Sequence, residues 1–292
     1  MRFIKFFRRL YSHLIKTWDK HHCDFLVCSI GDIVLRRQTP SNNQLLLTSR
    51  LMDVEDYLSG RDISFPHQNA ISYKAYGNAH KEERGNTHFR TLIESYRKDG
   101  YHEDSYVTCD SDLVLMDGNH RMGIHLYEKI SKVNVRMVHR RVKAGHGFDW
   151  YYKVALPSAF IDDLFKKYRD VQEWLIKSGN TFIALFDEPE DGDLSVESDL
   201  SHLTTPLRII DGPFTFNEIN GVDVSSVKWK KIVQFSLDNP KYYVQNGLLR
   251  SKRIDEIRSI MIRRYGESAN ILLSNNCLEG NEIYKRLQSL NR

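Results

Sequence analysis

The sequence predicts a mixed α/β protein of the α+β type, and three observations lead to this class. An apolar run that ends at Asp117 is followed by a glycine turn, a helical pattern and a second strand candidate at 133–138. The stretch from Ser158 to Lys177 places apolar residues at helical spacing and ends before a glycine. Residues 200–292 combine short strand candidates at 207–210 and 213–216 with two further helical patterns at 251–265 and 279–290. We therefore expect a central α/β unit with helical flanks and a C-terminal α+β extension.

The turn in the central unit has the composition of an anion-binding site. It reads Asp117-Gly118-Asn119-His120-Arg121. Gly118 would let a ligand approach the backbone closely, and Asn119 is expected to cap a helix whose free N–H groups attract phosphate oxygens. His120 and Arg121 add a titratable donor and a permanently charged guanidinium. The alternative interpretation is a structural turn with polar surface residues.

This Asp-Gly-Asn-His-Arg turn after a short strand resembles the phosphate-binding signature of the ParB/sulfiredoxin superfamily. The preceding pattern agrees with that family, because a helical stretch at 92–96, a turn at Gly100 and a strand candidate at 105–110 lead into it. The resemblance implies a ParB/sulfiredoxin-like domain at 65–142. Residues 1–64 would then form an N-terminal amphipathic helix and lead-in, and 143–292 a C-terminal helical and α+β extension.

Differences from the family pattern argue against two branches of the superfamily. A sulfiredoxin needs a cysteine at the position of Asn119, and an amide cannot serve as that nucleophile. A partition protein would continue into a helix-turn-helix domain that binds DNA, and no convincing pattern of this kind follows. The chain is therefore nearest to the kinase branch. This implies ATP or another nucleoside triphosphate as cofactor, with Mg²⁺ as the candidate ion.

The resemblance implies a nucleotide-dependent phosphotransferase that acts on a hydroxyl of a small metabolite or sugar. Asp117 would be a general base or a metal-associated carboxylate, Glu83 would take the other task, and His120 would assist. The nucleotide would be held by Gly118, Asn119, His120 and Arg121. The alternatives are a non-catalytic nucleotide-binding switch, a DNA-associated ParB-like protein, and a structural or membrane-docking protein that has kept only the fold.

Residues 65–90 are dense in histidine, asparagine, glycine and charge. This composition predicts little core, so we expect the segment to lie on a surface or to line the site. Glu83 and Arg84 are its candidates for the second half of the site, and the alternative is an ordinary exposed ion pair. Its histidines lack a compact ligand spacing, so no metal site is predicted from protein ligands alone.

Composition limits the partners. A net charge of +4 over 292 residues gives no reason to expect nucleic-acid binding. The four cysteines are scattered without CxxC spacing, which favours a reducing compartment and hence the cytoplasm. Residues 1–18 form an amphipathic, basic pattern. It is interpreted either as a peripheral contact with an anionic membrane or as a helix packed on the domain, and we favour packing.

Overall fold

The computed structural model describes residues 22–35, 42–76, 82–102, 105–140, 149–154, 156–187, 195–216, 218–219, 222–225, 227–237, 240–266 and 270–290. The predicted N-terminal helix at 1–18 lies outside these ranges. Within them, ten helices and twelve strands form a mixed α/β structure of the α+β type, which confirms the predicted class. None of the helices in the described ranges combines the length and the apolar composition needed to cross a membrane.

The first sheet belongs to the N-terminal half of the chain and has the strand order β1-β4-β2-β3. β4 pairs antiparallel with β1 and parallel with β2, and β2 pairs antiparallel with β3. The strands are β1 (Cys23–Ser29), β2 (Val107–Cys109), β3 (Leu115–Asp117) and β4 (Lys132–Val138). One strand of this sheet therefore comes from residues that the sequence assigns to the N-terminal lead-in.

Five helices accompany this sheet: α1 (Ile30–Val34), α2 (Asn42–Leu58), α3 (Pro66–Tyr76), α4 (Glu82–Asp99) and α5 (Asn119–Tyr127). Four of them, α1, α2, α3 and α5, contribute residues to the main buried cluster together with the alternate residues Val133, Val135 and Met137 of β4. The buried residues of α4 belong to a second cluster with residues of α2 and α5. α5 packs closely on α2 because Gly123 has no side chain. A Cβ there would lie 2.6 Å from Cβ of Arg50.

The expectation that residues 65–90 would contribute little to the core is wrong. Most of this segment forms α3 and the first half of α4, and Phe65, Ile71 and Phe89 are fully or almost fully buried. Three large apolar side chains are enough to anchor two helices on their neighbours. Among the polar side chains described around them, Gln68 is buried and hydrogen-bonded, whereas Thr87, His88 and Arg90 are exposed to solvent.

The second sheet has the strand order β12-β5-β9-β6, with all neighbours antiparallel. Its strands are β5 (Phe182–Phe186), β6 (Thr205–Thr215), β9 (Lys228–Ser236) and β12 (Ile271–Leu273). The two strand candidates predicted at 207–210 and 213–216 lie in or next to one strand, β6. Two hairpins accompany the sheet: β7 (Glu218–Ile219) with β8 (Val222–Asp223), and β10 (Tyr242–Gln245) with β11 (Leu248–Ser251).

Five more helices complete the fold: α6 (Asp149–Lys153), α7 (Ser158–Lys177), α8 (Val196–Leu203), α9 (Lys252–Tyr265) and α10 (Cys277–Leu290). The helix predicted from Ser158 to Lys177 is confirmed over its whole length, and its predicted stripe is largely buried. The C-terminal helices predicted at 251–265 and 279–290 are confirmed within two residues.

The two halves of the chain share one buried cluster, which includes residues from both sheets. The carboxylate of Asp32 in α1 is a polar link within this shared interior. It accepts hydrogen bonds from the Ser29 N–H at 3.2 Å, the Tyr242 hydroxyl at 2.9 Å and the Cys277 N–H at 2.9 Å. Since Tyr242 and Cys277 begin β10 and α10, this one side chain connects α1 to two elements of the C-terminal part of the chain.

Candidate functional site

Four side chains form a row across the open face of the first sheet. Phe25 of β1 pairs with Arg136 of β4, Arg136 pairs with Thr108 of β2, and Thr108 pairs with Asp117 of β3. Residues at paired positions point to the same face of a sheet. All four side chains line one open cavity of about 450 Å³. The strand pairing thus places an aromatic ring, a guanidinium, a hydroxyl and a carboxylate on a single surface.

The rest of the cavity lining comes from the segment before β2 and from the first turn of α5. His102, Ser105 and Tyr106 precede β2, and Arg121 reaches in from the helix. Arg121 Nη1 donates to the Tyr106 carbonyl at 2.6 Å. The rings of Tyr106 and Phe25 meet edge to face, with centroids 4.9 Å apart and planes at 72°. Arg121 therefore braces the segment that carries the aromatic contact.

Gly118 sits between β3 and α5 in a conformation that favours glycine. Its φ of 100° lies in the left-handed region, and a Cβ there would come within 2.8 Å of Cγ1 of Val107. Gly118, and not Asn119 as predicted, is the N-cap, so Asn119 is the first helical residue. The Gly118 N–H donates to Asp117 Oδ1 at 2.8 Å, which fixes the carboxylate beside the positive end of the helix.

His120 points to the other side of α5, into the helical layer. Its Nε2 donates to Gln68 Oε1 at 2.8 Å, and its ring stacks on Phe89 with centroids 4.4 Å apart. Burial, followed by the charges of Arg50 and His88, lowers the pKa of His120 to about 3. The imidazole is therefore neutral near pH 7. It is not among the described residues that line the cavity, although its sequence neighbour Arg121 is.

The partner of His120 belongs to a hydrogen-bond network that joins three helices. Gln68 Nε2 donates to Asn86 Oδ1 at 2.7 Å, which ties α3 to α4. The carboxylate of Asp53 in α2 is fully buried and accepts from the backbone N–H groups of His67 and Gln68 at 2.9 and 2.8 Å. This network caps the start of α3 and satisfies the buried side chain of Gln68.

Glu83 lies in the first turn of α4, and its side chain is outside the part of the chain that the structure describes. The same holds for Arg84. Their assignment to the second half of the site remains a prediction from the sequence. Of the residues predicted to be catalytic, Asp117 lines the cavity and His120 does not.

A second buried histidine is connected to the cavity through hydroxyl groups. The hydroxyl of Tyr96 lies 3.4 Å from Ser105 Oγ, which faces the cavity, and 3.0 Å from His125 Nε2. Burial, followed by the charge of Arg121, lowers the pKa of His125 to about 4. Its Nδ1 is buried with no partner among the described residues. A neutral imidazole thus supports the orientation of a hydroxyl at the edge of the cavity.

The sequence missed several of the cavity residues. Arg136 could have been found, since it is a charged residue that alternates with apolar ones in the strand candidate at 133–138. Phe25 carried no such signal, because a phenylalanine in an apolar segment is normally expected in the core. The lining residues without a predicted role are Phe25, His102, Ser105, Tyr106, Thr108 and Arg136.

No group of three or more histidine, cysteine, aspartate or glutamate side chains in the described ranges is arranged to hold a metal ion. No protein family, curated protein or solved structure with which the chain was compared gives a match.

Proposed function

We propose that the chain is a nucleotide-dependent phosphotransferase that acts on a hydroxyl of a small metabolite or sugar. We further propose that residues 65–142, with β1, form a ParB/sulfiredoxin-like unit. One observation carries the proposal. Two arginines, Arg121 and Arg136, converge with Asp117 on one cavity beside the glycine-capped start of α5. Phosphoryl transfer depends mainly on positioning and on neutralising charge, and these groups supply both.

The charges around the cavity suit a phosphate chain accompanied by a cation. The guanidinium of Arg136 lines the cavity, and its Nε is buried with no partner among the described residues. A bound anion would satisfy this donor if the side chain turned toward the cavity. Asp117 would repel the same anion unless a divalent ion lay between them. Mg²⁺ is commonly bound through one or two carboxylates together with phosphate oxygens. Asp117 or Glu83 would hold the ion, and the two arginines would hold the phosphates.

The roles of the remaining residues follow from their positions. Asp117, which is exposed to the cavity, would act as general base toward the acceptor hydroxyl or as the carboxylate that holds Mg²⁺. Glu83 would take the other task, as the family resemblance implies. His120 would support α5 from the interior. Gly118 and Asn119 would present the helix start to the phosphates.

A nucleotide-binding switch without chemistry is the second candidate. The observation that favours it is the orientation of His120, which is bound to Gln68 and away from the cavity. With this side chain withdrawn, Asp117 is the only predicted catalytic residue that lines the cavity among the described residues. Binding of ATP without transfer to any acceptor would identify this case.

The first test concerns binding. ATP, ADP, CTP and GTP are screened with and without Mg²⁺ by thermal shift, and the affinity of the best ligand is measured by calorimetry. We expect Arg121→Ala to weaken binding by about 10- to 100-fold, as loss of a hydrogen bond to a charged group does, with only the small drop in melting temperature that loss of the exposed hydrogen bond to the Tyr106 carbonyl causes. Arg97→Ala, an exposed arginine on α4, is the control and should bind as the parent does. Equal affinity of Arg121→Ala and the parent would remove Arg121 from the site.

The second test separates chemistry from binding. Asp117→Asn keeps an oxygen that can accept the Gly118 N–H and removes the charge needed for a base or for Mg²⁺. We expect phosphate transfer to fall by about 100-fold or more, while ATP still binds in the absence of Mg²⁺. The measurement is transfer of labelled phosphate to a panel of small hydroxyl compounds and sugars. Parent-like transfer by the variant would make Asp117 structural only.

A further inference from the structure

Phe25 is a large apolar side chain that is exposed to solvent. It lies on the open face of the first sheet with 60% of its surface exposed, beside Arg136 in the neighbouring strand. The edge-to-face contact with Tyr106 can cover no more than one face of its ring. The ring therefore offers a flat apolar surface to the same cavity that contains the charged groups.

The row of side chains has a direction. Phe25 stands on one edge strand, Asp117 on the other, and Arg136 and Thr108 lie between them. Three strand spacings of about 4.8 Å separate the two edges, which is roughly 14 Å. A nucleotide extended from its base to its last phosphate covers a similar distance. An aromatic group at one end and cationic groups along the rest match the two chemically different ends of such a ligand.

We propose that the nucleobase of the bound nucleotide stacks on Phe25, so that the phosphates pass over Arg136 toward Arg121 and the start of α5. This inference rests on the proposed function and adds the orientation of the nucleotide. Every base has a π-face, and stacking on an aromatic side chain does not depend on the hydrogen-bonding edge of the base. The cavity is therefore expected to accept several nucleobases, with the larger purines bound more tightly than pyrimidines.

The test compares a ligand that has a base with one that has none. Full-length parent and Phe25→Leu are titrated by calorimetry with ATP and with inorganic tripolyphosphate, both with Mg²⁺. Loss of a stacking partner should weaken ATP binding about tenfold or more and leave tripolyphosphate binding within twofold of the parent. Val27→Ala is the matched control, since Val27 lies on the same strand and face, is 47% exposed and is not among the described cavity residues. It should change neither affinity.

A second variant keeps the test decisive if Phe25→Leu is unstable. Phe25→Trp enlarges the stacking surface, so ATP affinity should be retained or increased. Its tryptophan fluorescence, compared with that of the parent, should change on adding ATP but not on adding tripolyphosphate. Absence of this difference would overturn the inference.

The failures of the two proposals can be told apart. Parent-like ATP affinity in Phe25→Leu, or equal loss of ATP and tripolyphosphate, would overturn base stacking while the phosphate site stands. A large drop in melting temperature of both variants with unchanged ATP affinity would mean that the ring serves as core, which also overturns stacking. Binding of neither ligand by the parent would overturn the proposed function and this inference with it.

Discussion

The two four-stranded sheets differ in what covers their faces. In the second sheet, all five residues of β5 are buried, and so are the last five residues of β9. Adjacent residues of β5 point to opposite faces and belong to different clusters. Phe186 belongs to the main buried cluster, and Leu185 belongs to a smaller cluster that includes residues of α10. In the first sheet, one face is buried, and the other carries the row that ends at Phe25 and Asp117.

This difference suggests that the second sheet contributes mainly to stability, whereas the first sheet can carry a functional site. Where both faces of a sheet are buried, as at β5 and the end of β9, there is no room for a ligand, and a charge placed there without a partner would strongly destabilise the fold. A sheet with one open face can present charged and aromatic side chains without disturbing the packing on the other face. The first sheet thus displays the candidate site, and the second sheet anchors the shared interior. Asp32 links the two halves and belongs to neither sheet.

The largest expected effect compares one residue type in the two sheets. Phe186→Ala removes a fully buried ring from the second sheet and should lower the free energy of unfolding by about 3–5 kcal/mol. Phe25→Ala removes a ring that is already 60% exposed and should cost about 1 kcal/mol or less. Urea denaturation of both variants measures the difference. Similar losses for the two would mean that the open face is packed as firmly as the interior.

The second prediction concerns Asp32, which connects the two halves of the chain, and the dependence of stability on pH. Burial raises the pKa of Asp32 to about 6, and hydrogen bonds from Cys277, Tyr242 and Ser29 offset it only in part. Because the folded-state pKa lies above the unfolded value of 3.8, the folded protein binds this proton more tightly than the unfolded chain does. The stabilisation that results is fully present below about pH 4. It is lost as the pH rises toward 6, at no more than about 1.4 kcal/mol per pH unit.

We therefore expect the unfolding free energy of the parent, relative to Asp32→Asn, to fall by roughly 2–3 kcal/mol between pH 4 and 7. The same comparison for Asp62→Asn is the control, and its dependence on pH should have the opposite sign, because hydrogen bonds from Ser64 lower the pKa of Asp62. Stability from that group is present above its unfolded pKa and is lost as the pH falls. A parent-to-Asn difference that stays constant with pH would show that Asp32 does not titrate in this range.

The smallest change in stability should come from Arg136→Leu on the open face. The leucine keeps an apolar stem and removes a buried Nε that has no partner among the described residues, so stability should stay within about 0.5 kcal/mol of the parent or rise. ATP affinity should fall about tenfold. The mirror variant is Arg208→Leu in the second sheet, which loses a hydrogen bond to Tyr284 and should cost about 1 kcal/mol with unchanged ATP affinity. If Arg136→Leu lost stability and Arg208→Leu lost ATP affinity, the assignment of the candidate site to the first sheet would be wrong.

Local pattern alone determined several elements. Apolar residues at helical spacing defined α7 from Ser158 to Lys177, and a strand, a glycine turn and a helix were readable around Gly118. These features depend on residues within a few positions of one another, so their signal is present in the sequence itself. The sequence also located Asp117 and Arg121, which line the cavity.

Tertiary structure decided which residues meet and which way they face. β1 pairs with a strand more than one hundred residues later, and this pairing brings Phe25 beside Arg136. Packing of α5 on its neighbours turns His120 into the interior and leaves Arg121 at the cavity, although the two are adjacent in the chain. Helices α3 and α4, which form most of the segment at 65–90, are joined to each other through Gln68 and Asn86 and to α5 through Gln68 and His120. Such contacts depend on strands and helices that are distant in sequence, so no local periodicity predicts them.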